Sequence, residues 1–318
     1  MTSLDLTAAA RRPFTGRRVR FGDVSLQVVA GAAAAFATVL VGLIVWKVID
    51  GARPAISHYG LRFVWRIAWN PVLGRELYGA GSFLFGTAIT SLFALLLAAP
   101  LAMGIALFLS ELAPRGLRAP VTALVETLAA VPSVVIGLWG ILVLGPALRT
   151  NIESWLHTAF GFIPLFGTPS PAGASIFTAI IVLTIMILPI VSSISRELFL
   201  GVPHELKEGA LALGTTRWEM VRGVVFPYAR GGIAAALILG LGRALGEAIA
   251  VTQVIGGGDT LASKIAASYQ GSTTNLQTAS LVYLGLILLA FSLLANVSAQ
   301  WIVRRSARKH GISRGGHA

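Results

Sequence analysis

Long uncharged runs separated by short charged links set the pattern of this chain. Leu26 to Trp46 carries no charge over 21 residues, and Leu77 to Ser110 carries none over 34. About 20 apolar residues cross a hydrocarbon core as a helix, so both runs are membrane spans by length. The same pattern predicts four more spans, at Ala119 to Leu148, Ala174 to Ser195, Gly231 to Gly257 and Gln277 to Val303. Pro100 predicts a kink in the second span, and Pro132-Ser133 a break in the third. Between the first two spans, Arg53, Arg62, Arg66 and Arg75 alternate with Tyr59, Phe63, Trp65 and Trp69. That mixture suits the headgroup layer, where rings and guanidinium groups both find partners. Thr150 to Gly173 is a Pro/Gly-rich loop with a short amphipathic piece around Trp155 and Phe160, and Gly258 to Leu276 is a second loop.

The longest polar segment between apolar spans runs from His204 to Pro227. It holds Glu205, Lys207, Glu208, Arg217, Glu219 and Arg222, each costing roughly 2.5 to 3.5 kcal/mol at a membrane centre, so it lies outside the bilayer. Pro203 suits a first helical position, Gly214 a C-cap, and Thr216 with Glu219 a capping box. The segment therefore predicts helix, turn, helix. An ordinary amphipathic connector is the plainer reading of the same residues.

Composition narrows the class. Of the 318 residues, 55% are hydrophobic and 12% charged, against about 25% charged in soluble domains. This is an integral membrane chain with no room for a separate soluble catalytic domain. The absence of cysteine excludes a disulfide or thiolate-metal scaffold. No lysine follows a glycine, so no P-loop is present and any ATPase is another polypeptide. The histidines are scattered, and no hydrolase triad or zinc motif occurs. No cofactor is called for. The net charge of +12 does not point to nucleic acid, because its distribution follows the membrane instead.

With six spans, both termini share a side with the polar segment. That side holds 17 basic residues, from Arg11, Arg12, Arg17, Arg18 and Arg20 in the N-tail to Arg304, Arg305, Arg308, Lys309 and Arg314 in the C-tail; the other side holds seven. The bias predicts that both ends and the polar segment are cytoplasmic. The basic start also fits a signal peptide, but the apolar run is too long and Trp46-Lys47-Val48 is a poor cleavage site.

Arg243 lies 13 residues beyond Arg230, which is roughly 20 Å into the bilayer on a helical rise. Glu247 follows four residues later, predicting a pair on one helix face. Charges at that depth face a bundle interior or a water-filled cavity. Two roles compete: a self-neutralising pair that locks helices, or an anion site in which Arg243 binds and Glu247 holds it ready. A guanidinium fork gives oxyanions two parallel hydrogen bonds, which a lysine cannot copy. Gly232, Ala236 and Gly240 form one small-residue row, and Gly242, Gly246 and Ala250 another, both predicting close helix packing. Glu126, near the start of the third span, is a candidate for the pathway or for snorkelling to the surface. Ser133, after Pro132, is a candidate for a helix break that aims backbone donors into a cavity.

Glu208, Gly209 and Ala210, then Gly214, Val224, Phe226 and Pro227, resemble the EAA loop of ABC importer permeases, with Gly209 replacing the first alanine. Three stretches narrow the resemblance: LPIVSSISRELFLGVPHELKEGALALGTTRWEMVRGVVFPYARGGI, LGLGRALGEAIAVT and LVETLAAVPSVVIGLWG. They are similar to permeases of phosphate importers of the PstC type, over about residues 80 to 303. The resemblance implies a MetI-like all-α fold and an EAA loop seated in a groove of the ATPase. It also implies a second related permease of the PstA type, two ATPase subunits of the PstB type and an extracytoplasmic phosphate-binding protein of the PstS type. It places an important Arg and Glu in the LGRALGE motif.

The chain is thus expected to be an all-α, six-span permease of an ATP-driven phosphate importer in the cell membrane. Residues 1–23 form a basic cytoplasmic N-tail, 24–303 the span domain with a coupling loop at 196–230, and 304–318 a basic C-tail. The rivals are an importer of another oxyanion such as molybdate or sulfate, an ion-coupled carrier with Glu247 or Glu126 as proton site, and a membrane scaffold without transport.

Overall fold

The computed structural model describes residues 21–161, 173–255 and 259–309. Most of the predicted N-tail, the end of the C-tail, and parts of the two predicted loops lie outside the described residues. The chain divides into two units, Met1–Lys47 and Val48–Ala318. In the first, the described residues are helical, and the Thr38 hydroxyl donates to the Ala34 carbonyl (2.8 Å).

Fourteen α-helices occur among the described residues: α1 (Phe21–Tyr59), α2 (Arg62–Trp65), α3 (Gly81–Leu107), α4 (Arg115–Ala130), α5 (Ser133–Trp139), α6 (Gly145–Leu148), α7 (Ser154–Phe160), α8 (Ile176–Leu200), α9 (His204–Ala212), α10 (Arg217–Met220), α11 (Phe226–Gly246), α12 (Ile249–Val254), α13 (Leu261–Ser268) and α14 (Asn275–Lys309). Single π turns extend α3 at Phe108–Leu112, join α5 to α6 at Gly140–Leu144 and α6 to α7 at Arg149–Glu153, and join α10 to α11 at Val221–Val225. Among the described residues six helices are long and apolar enough to cross a membrane.

The centre of the unit is α8 against α3. On α3, Gly86, Thr90, Ala94, Ala98, Ala102 and Ala106 recur every fourth residue and are all buried. Such a ridge of small residues lets two backbones approach where hydrophobicity gives lipid and helix no preference. Against it α8 sets Val182, Leu183, Met186, Ile187 and Val191, each at most 5% exposed. The hydroxyls on α3 bond back into their own helix: Thr87, Thr90 and Ser91 donate to the carbonyls of Phe83, Gly86 and Thr87. This is how polar side chains survive in an apolar span. Thr87 Oγ1 also accepts from the Leu261 N–H (2.9 Å), tying α13 to α3.

The structure moves several predicted boundaries. The first span runs on helically through Pro54 to Tyr59; Asp50 and Arg53 pair along the helix at 3.4 Å. The aromatic stretch expected at the headgroups is partly core. Tyr59, Phe63 and Tyr78 are buried while Trp65 is 79% exposed, and Phe63 stacks on Tyr283 (4.6 Å). Burial holds the Tyr78 phenol above its usual range, and the nearby Glu76 carboxylate adds to this. The loop after residue 258 contains α13, whose start is closed by a Thr260–Ser263 capping box.

The third span is the largest correction. Val131 is extended (ψ 127°) before Pro132, as the residue preceding a proline tends to be. The predicted span is therefore cut: α4 is a separate helix, and the apolar helix long enough to cross is Ser133–Ala159. Glu126 belongs to α4, not to that span.

Candidate functional site

The fifth span ends in an unusual way. α11 stops at Gly246, and Glu247 is extended (ψ 115°). The expectation that Arg243 and Glu247 share one helix face therefore fails. The pair forms nonetheless, with Arg243 Nη2 3.9 Å from Glu247 Oε2. Freed from the helix, the Glu247 carboxylate accepts from the Ala250 N–H at 3.3 Å. It thus serves the start of α12, where backbone donors have no helical partner.

The helix that follows Glu247 packs on α5. α12 lies so close to α5 and the π turn after it that a Cβ on Gly137 would sit 2.7 Å from Ala250 Cα, and one on Gly140 would sit 2.7 Å from Val254. These approaches run in the same sense along both helices. The starts of α5 and α12, at Pro132-Ser133 and Glu247-Ala248, consequently lie at one end of the pair. The break predicted at Pro132-Ser133 is present, with the Pro132 carbonyl accepting from Val135 and Ile136.

Arg243 and Glu247 line a cavity of about 900 Å³ between α8, α11 and α14. The two side chains differ in exposure, 44% for Arg243 and 9% for Glu247. At 3.9 Å their contact is longer than a hydrogen bond. The guanidinium is the accessible member of the pair and the carboxylate the shielded one. This arrangement can receive an anion of modest size and neutralise it partly. Neither Ser133 nor Glu126 is among the lining residues.

The lining includes two residues that the sequence reading passed over, Asn296 and Gln300 on α14. Their signal was available: two amides four residues apart in an apolar span, a costly placement without partners. The two small-residue rows separate in role. Gly232 and Gly240 lie under Leu198 and Val191 of α8, where a Cβ would come within 2.4 and 2.8 Å, so that row packs. In the other row Gly242 and Gly246 line the cavity instead, and Ala250 packs on α5.

Glu126 is exposed on α4. It borders a different, smaller cavity of about 200 Å³ with Thr122, Ser192 and Arg196. The structure thus does not bring it to Arg243.

The polar segment folds as helix, turn, helix. Gly214 adopts φ +84°, a left-handed value natural for glycine. Both halves of the Thr216–Glu219 capping box form. Pro203 is one place off the expectation: it is the N-cap and His204 the first helical residue. Glu208 and Gly209 are exposed, Ala210 is half-buried, and Pro227 sits in the first turn of α11. Leu206, Leu211, Leu213 and Trp218 are exposed at 47%, 41%, 86% and 62%, an apolar surface on an otherwise polar element. Beneath it, Lys207 Nζ is 2.6 Å from Glu111 Oε1 and donates to the Phe199 carbonyl (2.9 Å). From α10 through the π turn to Gly246 the helix is unbroken, so this segment and Arg243 share one rod.

Residues 99–308 match the family described as binding-protein-dependent transport system inner membrane component. The phosphate transport system permease protein PstC of Mesorhizobium japonicum is 40% identical over 315 residues, covering 94% of this chain and 95% of that protein. Among solved structures, a chain of a bacterial alginate ABC transporter superposes with TM-score 0.62 at 18% identity, covering 91% of this chain and 98% of its own. A chain of the MetNI methionine ABC transporter superposes with TM-score 0.52 at 18% identity, covering 70% and 93%. At such identities the superpositions speak for the fold, an ABC importer permease fold of the MetI-like kind. The chain therefore belongs to the binding-protein-dependent transport system inner membrane component family and, within it, to the PstC permeases.

Proposed function

We propose that this chain is a permease subunit of an ATP-driven inorganic phosphate importer. The observation that carries the reading is Arg243, an accessible guanidinium that lines a cavity within the spans beside the shielded Glu247. The name of the relative from Mesorhizobium japonicum supports phosphate as the anion. Arg243 would give its fork to two phosphate oxygens, and Glu247 would accept from a protonated oxygen while repelling fully ionised tetrahedral anions. A molybdate or sulfate importer is the rival within this reading.

The coupling loop spans residues 196–230, with Glu208, Gly209, Ala210, Gly214 and Pro227 as its signature. Its exposed apolar patch would seat in an ATPase of the PstB type, present twice in the complex. A second permease of the PstA type completes the pathway, and a phosphate-binding protein of the PstS type delivers the anion from outside. Both basic tails and the loop lie in the cytoplasm. Motion of the loop would pass along the unbroken helix from Arg217 to Gly246 and re-aim Arg243 between the two faces of the membrane. Pro132-Ser133, at the same end of its helix pair as Glu247, is proposed as a helix break that offers backbone donors to the pathway. Glu126 retains only a peripheral place in the pathway.

The test is uptake of labelled phosphate by the reconstituted complex in vesicles, with and without ATP. ATP-dependent uptake that sulfate and molybdate do not suppress is the expected result. Uptake without ATP, or preferential uptake of another oxyanion, overturns the reading.

A further inference from the structure

We propose that Asn296 is a specificity-determining residue of the anion site, one that accepts a hydrogen bond from a protonated oxyanion. The inference rests on the phosphate reading above. It starts from a buried polar atom: Asn296 Oδ1 is shielded from solvent and has no hydrogen-bond partner. A buried carbonyl left unpaired costs on the order of 1 to 3 kcal/mol, so a span retains it only where something else gains.

Position says what that gain is. A Cβ on Gly242 would lie 3.9 Å from Asn296 Nδ2, so the amide faces α11 one residue before Arg243. Asn296 and Gln300 line the same cavity as Arg243 and Glu247, on a helix that otherwise shows Leu293, Leu294, Val297 and Trp301 outward at 54–65% exposure. The glycine at 242 leaves the space in front of the amide open. A ligand in this cavity thus meets donors from Arg243 and an acceptor from Glu247, and a turn of the Asn296 amide in the space left by Gly242 brings its shielded carbonyl to the same ligand as a second acceptor.

That mixture discriminates by protonation. Phosphate and arsenate near neutral pH keep at least one proton to donate, whereas sulfate and molybdate keep none. An unprotonated anion would bring a lone pair against the Asn296 carbonyl and leave it unpaired. Sites built to hydrogen-bond a substrate hydroxyl reject analogues lacking it far better than apolar pockets reject a misfit.

The test uses the full complex in proteoliposomes, labelled inorganic phosphate, and unlabelled arsenate and sulfate as competitors. Asn296→Leu keeps the volume and removes the amide, while Asn296→Ser keeps a hydroxyl that can accept. Expected for Asn296→Leu is assembly at normal level, an apparent phosphate affinity lower by about ten-fold or more, and sulfate competition rising relative to arsenate. Asn296→Ser should fall between it and the parent. Unchanged affinity and selectivity in assembled Asn296→Leu overturns the inference. If Asn296→Leu does not assemble, unchanged selectivity in Asn296→Ser, with only its abundance lowered, overturns it equally, because the amide would then be a packing element. A parent complex that imports sulfate in preference to phosphate removes the functional reading itself, and is seen before any variant is made.

Discussion

Lys207, on the first helix of the exposed pair, stands 2.6 Å from Glu111 at the end of α3, and these two side chains are 9% and 12% exposed. They are 96 residues apart in sequence. Removing one member of a buried pair leaves the other charge uncompensated and costs about 3 to 5 kcal/mol, while replacing both with apolar groups is often neutral. Lys207→Met alone is therefore expected to lower the thermal midpoint and membrane abundance of the complex. Lys207→Met with Glu111→Leu should recover most of both. Equal stability of the single variant and the parent, read by thermal unfolding of the purified complex, would show that the pair does not anchor the helix pair to the span.

Gly214 tests the coupling role proposed for that element. Its φ of +84° is strained for a β-branched residue, at about 1 to 3 kcal/mol, and a Cβ there meets nothing within 4 Å. Gly214→Val should thus misplace the two helices through backbone strain alone, with the spans still inserted. Lost ATPase co-purification or lost coupling at near-normal abundance is expected. Full phosphate uptake by this variant would falsify the assignment of the loop as the dock.

Orientation follows from the 17 to seven asymmetry of basic residues. Reporters fused after Val303 and inserted at Gly214 should both report cytoplasm. External labelling at either position contradicts the proposed topology, and with it any ATPase contact at the exposed helix pair.

The crossing of α5 and α12 carries its own stability prediction. A Cβ on Gly137 would come within 2.2 Å of the Gln253 side chain and 2.7 Å of the Ala250 backbone; the first can swing away but the second cannot. Gly137→Ala should cost about 1 to 3 kcal/mol by overpacking, lowering the amount of folded complex. Wild-type melting behaviour would mean that the helices can separate there freely.

Much of this was legible in the sequence, and the failures have causes. Six spans were expected and six apolar helices occur among the described residues, because a long apolar run has few soluble alternatives; the third and the fifth, expected over Ala119 to Leu148 and Gly231 to Gly257, are drawn differently by the structure. The third was misdrawn because, although Pro132-Ser133 announced the break, Ala119 to Leu148 is nearly as apolar on both sides of it, and hydropathy does not say that the crossing helix begins at the break and runs on to Ala159. The turn at Gly214 and the capping box at Thr216–Glu219 were readable because local chemistry alone specifies them. The end of α11 was not. Gly246 can end a helix, but helical spacing of Arg243 and Glu247 argued for continuation, and the competing bond from the Ala250 N–H to Glu247 depends on where α5 places α12. Lys207–Glu111 and the amide of Asn296 depend on tertiary contacts that no local pattern carries.

Whether Arg243 binds the anion or merely neutralises Glu247 is decided by removing both charges. The structure makes this test cleaner than the sequence did, because Glu247 Oε1 also accepts from the Ala250 N–H, and a glutamine at 247 keeps an oxygen for that bond. Arg243→Gln with Glu247→Gln thus removes the ion pair while sparing the start of α12. A purely structural pair at 3.9 Å contributes little, so its loss should leave a stable and active subunit. An anion site loses the guanidinium that binds, and the double variant should assemble normally yet fail to transport. Arg243→Lys refines the point. It keeps the charge and loses the planar fork, which predicts a fall in phosphate affinity on the order of ten-fold or more from the lost charge-assisted bonds, with assembly intact. If the double variant instead takes up phosphate at the parent rate, measured per complex in vesicles, Arg243 is only a counter-charge, and the anion must meet the backbone at Pro132-Ser133 or the second permease.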